Sequence, residues 1–115
     1  MSSGNPKQPP DFQIVLIAAV KEFVSLAQKT VFEQRTRMLD DNGKKIVAAL
    51  CKDIVIYCGN LQRRATKDEI KTLKKIEIWA LSLKESLIEN QIDIINVKKT
   101  VRLLKANTQE FVAAR

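Results

Sequence analysis

The sequence predicts an all-α protein, an antiparallel up-down four-helix bundle. Three observations carry that prediction. Apolar residues recur at alternating three- and four-residue steps in four successive segments, which places each set on one stripe of an α-helix. All three prolines fall within the first ten residues, so none breaks a helix further along. Short polar breaks separate the segments, and helices joined by short connections pack antiparallel. In a chain of 115 residues, four such stripes can be buried only against one another.

Residues 1–10 are polar and Pro-rich and read as a disordered tether preceding a single domain over 11–115. The first helix is expected over 11–39, with Asp11 after two prolines as its N-cap. Its ladder is Ile17, Val20, Val24, Ala27, Val31 and Met38, with Gln34 in the remaining slot. Asp40-Asp41-Asn42-Gly43 reads as a turn in which Asn42-Gly43 can take positive φ. The second helix follows over 44–62 on Val47, Leu50, Ile54, Tyr57 and Leu61. Gly59-Asn60 is a candidate stop that Leu61 allows the helix to pass. Thr66 and Glu69 stand at capping-box spacing and open a third helix over 67–89 on Leu73, Ile76, Ala80, Leu83 and Leu87. Asn90 can end it and cap a fourth helix over 91–113, on Ile94, Val97, Val101, Leu104 and Phe111, with Thr108 between. Phe12–Val20, Ile46–Cys58 and Gln91–Val97 are rich in β-branched residues. The helical period nevertheless continues through each of them, and no repeat exists beyond the shared heptad spacing. In weaker forms of the architecture, helices fuse or the bundle completes itself by dimerising.

Composition points away from catalysis. The chain has no His, the commonest general base and zinc ligand. Its three glycines, at 4, 43 and 59, cannot build a phosphate loop, a dinucleotide fingerprint or a nucleophile elbow. Glu22, Glu33, Asp53, Glu77, Glu85 and Glu89 read as solvated helix charges, without the Glu-x-x-His motifs of a di-metal bundle. Tyr57 and Trp79 read as packing. No catalytic residue, metal or cofactor is therefore expected. Cys51 and Cys58 are seven residues apart, roughly 10 Å along a helix, too far to pair. They read as reduced apolar residues, in keeping with a reducing compartment. No run reaches the roughly 20 apolar residues of a membrane span, and the first residues lack a signal-peptide hydrophobic segment. A cytoplasmic location is expected.

The net charge is +7 and uneven. Residues 1–60 hold 8 Lys/Arg against 6 Asp/Glu, a net +2, while residues 61–105 hold 11 against 6, a net +5. Such an excess suits an acidic partner. Two candidate surfaces follow. On helix 3, Ile78 and Leu81 fall outside the apolar stripe beside Lys71, Lys74 and Lys75. Helix 2 adds Val55 and Ile56 beside Lys52. Together these eight residues define a lysine-rimmed apolar groove for an amphipathic, acidic partner helix. The alternative is a basic strip of Lys98, Lys99, Arg102 and Lys105, joined by Arg63, Arg64 and Lys67, that contacts the phosphates of a nucleic acid. The aromatic residues are not interleaved with the basic ones, so stacking on single strands has no support.

Two stretches carry a family resemblance. Leu16-Ile17-Ala18-Ala19-Val20-Lys21-Glu22-Phe23-Val24 resembles the helices of vinculin, α-catenin and talin-rod bundles. Lys45-Ile46-Val47-Ala48-Ala49-Leu50-Cys51-Lys52-Asp53-Ile54-Val55 resembles a helix in the focal-adhesion-targeting-like domains of the Cas scaffold family. The resemblance covers about residues 12–113. It implies a non-catalytic four-helix bundle that binds partner helices in adhesion or cytoskeletal scaffolds. Some relatives take acidic, leucine-rich helices into basic-rimmed grooves. It assigns a role to no individual residue.

Overall fold

The computed structural model describes residues 11–33, 39–89 and 92–115. They form four α-helices, α1 (Phe12–Glu33), α2 (Asp41–Gln62), α3 (Lys67–Ile88) and α4 (Ile94–Ala113). There is no strand among the described residues. Each helix packs on its neighbours in sequence, and α1 closes the ring against α4. The predicted four-helix bundle is therefore the observed one. Among the described residues no helix is long and apolar enough to cross a membrane.

The helix starts follow from short polar side chains. The Asp11 carboxylate accepts from the backbone N–H groups of Gln13 and Ile14 at 3.0 and 3.3 Å. Thr66 and Glu69 form the predicted capping box, the Thr66 hydroxyl accepting from Glu69 N and the Glu69 carboxylate accepting from Thr66 N. The other two starts correct the sequence reading. Asp40 is an N-cap whose carboxylate accepts from Gly43 N at 2.7 Å, so Asn42 and Gly43 lie in the first turn of α2 and take no positive φ. An Asp-Asp-Asn-Gly run supplies a cap acceptor as readily as a turn, and α2 begins three residues earlier than expected. The fourth helix begins at Ile94 rather than 91, because Asp93 caps it by accepting from Asn96 N. Buried Ile92 and Val97 flank that cap at the spacing of a hydrophobic staple. Leu39 is not helical, so the first helix stops short of its expected end. Gln34, Met38 and Asn90 lie outside the described residues. At Gly59 the helix continues, and α2 runs on to Gln62.

The α3 ladder is the centre of the core, with Leu73, Ile76, Ala80, Leu83 and Leu87 all fully buried. Cys51 and Cys58 are free and buried, as their spacing implied. Burial raises both thiols, Cys58 to about 12 with Glu77 adding to the effect, so neither offers a thiolate nucleophile. On α1 the expected ladder is buried at Val20, Val24, Ala27 and Val31. Leu16 and Phe23, outside that ladder, are also fully buried, while Ile17 is only half-buried. Leu16 and Phe23 belong to a second, interleaved ladder that is also buried in the core. Ile17, Val24 and Val31 sit on the edge toward α4.

The buried polar side chains are hydrogen-bonded, as burial requires; Thr100, Asn107 and Thr108 donate to carbonyls of their own helix, and Ser86 and Thr72 join α3 to α4. Asn96 Nδ2 donates to the hydroxyls of Ser86 and Ser82. Thr72 donates to the Asp68 carbonyl and to Glu110 Oε1. The chain end is held to the same pair, with Arg115 Nε 3.5 Å from Glu69 Oε2 and its guanidinium 5.0 Å from the Phe111 ring centroid. At the same end of the bundle, Phe12 meets Tyr57 at 6.2 Å between ring centroids, joining the start of α1 to the end of α2.

Candidate functional site

A concave surface runs along the seam between α1 and α4. It is two adjoining hollows of about 990 and 500 Å³, within the size range of ligand and peptide pockets. The larger has Val31, Phe32, Val97 and Val101 as its apolar wall and Lys98, Arg102 and Lys105 at its edge. The smaller is walled by Ile17, Val20, Val24 and Val112, with Lys21 and Lys105 at its edge. Gln28, Lys105 and Gln109 line both, so the hollows form one groove with a polar waist.

Side-chain length explains the opening. The α1 side of the seam is Ile17, Val20, Val24, Ser25, Gln28 and Val31, and the α4 side is Val97, Val101, Thr108 and Val112. Among the described residues no Leu lines the floor, and the aromatic Phe32 is 89 % exposed at one end. Valines, held stiffly at χ1, leave the gap unfilled. The floor valines are buried, so the free apolar surface is supplied by Phe32 at one end and by Ile17 and Val112 at the other. Lys21, Lys98, Arg102 and Lys105 are all exposed, and among the described residues no acidic side chain lines either hollow.

The residues expected to line a groove between helices 2 and 3 stand on α2 and α3. Lys52, Lys71, Lys74 and Lys75 are exposed. Val55 turns inward and is half-buried against the core. Ile56 and Ile78 each follow a fully buried residue by two positions, about 200° around the helix, and stand on the outer faces of their own helices. Leu81 is exposed. The seam beneath contains Glu77, which accepts from Gln62 Nε2 at 2.8 Å.

The basic strip divides. Lys98, Arg102 and Lys105 point along the α1–α4 groove, whereas Lys99 is exposed outside its lining. Arg63, Arg64 and Lys67 lie at the α2–α3 connection, the end of the bundle where Glu69 meets Arg115. Lys98 is seventeen residues before Arg115 on α4, roughly 25 Å up the axis, so the two basic groups do not form one cluster.

Sequence reasoning took Ile17, Val20, Val24, Val31, Val97 and Val101 as core and missed the groove they line. The available signal was that both faces of this one seam are built from β-branched and short side chains. Among the described residues no group of three His, Cys, Asp or Glu side chains could hold a metal ion. Comparison of the chain with protein-family models, curated proteins and solved structures returned no match.

Proposed function

We propose that this protein is a non-enzymatic interaction module that holds an amphipathic, acidic helix of a partner protein in the groove between α1 and α4. One observation carries the reading: an apolar trough between two helices, edged by Lys21, Lys98, Arg102 and Lys105, without a carboxylate among the described lining residues. A helix laid there extends the bundle's own packing by a fifth member, its apolar face supplying affinity and its acids orientation. A second copy of the chain would present the same cations to these cations, so self-association through this face is disfavoured by charge. The setting we propose is a cytoplasmic scaffold of the adhesion or cytoskeletal kind, supported by the sequence resemblance of Leu16–Val24 and Lys45–Val55.

The alignment of Lys98, Arg102 and Lys105 on one helix flank favours a second reading, phosphate contact with nucleic acid. The test compares an acidic amphipathic peptide with a short DNA duplex, each titrated against the wild type and Ser25→Trp at two salt concentrations. Ser25 is exposed and lines the groove, so the substitution fills the trough without touching the core. Peptide binding lost in Ser25→Trp, with circular dichroism unchanged, supports the helix reading. Tight duplex binding that survives Ser25→Trp and weakens by about 0.9 log units per contacted phosphate in a log–log salt plot replaces it with the phosphate reading.

A further inference from the structure

The groove is not uniform along its length, and its three zones specify a ligand pattern. Phe32 supplies an apolar surface at one end, and Ile17 with Val112 supplies the other. Ile17 and Phe32 stand fifteen positions apart in α1, about 22 Å of axis. Lys105, Gln28 and Gln109 line both hollows and together make up the polar waist. Arg102 and Lys98 follow one and two turns further toward the Phe32 end. An apolar side chain placed at the waist would desolvate an ammonium and two amides without partners, which is costly.

We propose that the partner helix carries large apolar side chains at positions i and i+14 of one stripe and a carboxylate, Glu or Asp, at i+7 between them. This pattern rests on the helix-binding reading above. On an α-helix i+7 rises about 10.5 Å and i+14 about 21 Å, both near the same face, which matches the waist and the far hollow when i sits on Phe32. The middle carboxylate then meets Lys105, and acids within a turn of i meet Lys98 and Arg102. A continuous leucine stripe, the ordinary pattern of a bundle helix, is disfavoured at the waist.

The test is a charge-swap cycle with two synthetic 20-residue peptides. Both carry Leu at i and i+14 and differ only in Glu or Lys at i+7. Affinities are measured by calorimetry against the wild type and Lys105→Glu. Lys105 is exposed, so the substitution leaves the fold intact, and circular dichroism checks this. The expected result is at least tenfold weaker binding of the Glu peptide by Lys105→Glu, and recovery of that loss with the Lys peptide. If the Glu peptide binds wild type and Lys105→Glu equally, the waist pattern is overturned while helix binding stands. If a peptide with Leu at i+7 binds the wild type more tightly than the Glu peptide, the pattern is likewise wrong. If no peptide binds the wild type, the pattern and the helix-binding reading fall together.

Discussion

The Gln62 side-chain amide donates to the Glu77 carboxylate across 2.8 Å, tying the last turn of α2 to the middle of α3. Partial burial beside Cys58 nevertheless raises the Glu77 carboxyl above its ordinary value, with the Gln62 bond and Lys74 only partly opposing the rise. The charged form is thus disfavoured in the folded state. Stability should fall as pH rises from the usual glutamate value through the raised one, because the unfolded chain releases its proton first. Glu77→Gln keeps a polar partner for Gln62 and removes the charge. It should raise the urea midpoint at neutral pH and make no difference at a pH below the usual glutamate value. A lower midpoint at neutral pH would show that the carboxylate stabilises the seam.

The cap of α3 has the opposite sign. The Thr66 backbone N–H, first of all, and then its hydroxyl and Arg115 draw the Glu69 carboxyl below its ordinary value. That contribution is present above the usual glutamate pKa and is lost as pH falls through the lowered one. Thr66→Ala removes the acceptor for Glu69 N and should cost about 1 kcal/mol at neutral pH. Glu69→Gln should flatten the acid side of the stability profile. Chemical denaturation across pH 2–7 measures both, and an unchanged midpoint in Thr66→Ala would mean that the cap adds nothing.

Gly59 sits in the interior of α2 with no atom within 4 Å of where a Cβ would stand. Glycine there loses more backbone entropy on folding than alanine and gains nothing from its freedom. Gly59→Ala should therefore stabilise the protein by about 0.5–1 kcal/mol, read as a higher melting temperature. A lower one would point to a close approach at this surface in solution.

These polar and glycine sites show what was legible in the sequence. Thr66 and Glu69 act locally, so their spacing alone identifies the cap, and the α3 ladder is legible as core because its five members keep an unbroken three-and-four spacing while Ile78 and Leu81 fall outside it. On α1 two ladders interleave, Leu16 and Phe23 on one side, Ile17 and Val24 on the other, and periodicity cannot rank them because both have helical spacing. Which side meets α2 and which meets α4 is decided by tertiary packing. Asp40 was read as part of a turn because the same carboxylate serves a turn or a helix start. The groove was illegible for a third reason: an apolar stripe implies that its face is turned inward, but the width of the seam depends on how far facing side chains reach, and valine against valine falls short.

Three substitutions separate fold from surface and one surface from another. Leu83 is fully buried at the centre of the α3 ladder, so Leu83→Glu should place an unpaired charge in the core and unfold the bundle. Ile78 is 56 % exposed on the outer face of the same helix, and Ile78→Glu should leave helicity and melting nearly unchanged. Phe32, at 89 % exposure, contributes little to folding, so Phe32→Ala should also melt like the wild type. The two surface variants diverge in binding. An aromatic anchor at the end of a groove is a typical hot spot, worth about 2 kcal/mol or more, roughly thirtyfold in affinity. Phe32→Ala should therefore weaken the acidic peptide by about that factor, whereas Ile78→Glu should bind it normally. The reverse outcome, with Ile78→Glu defective and Phe32→Ala intact, would move the site to the face formed by Lys52, Ile56, Lys74, Ile78 and Leu81, since a charge on that face can repel an acidic helix only if the helix lies there.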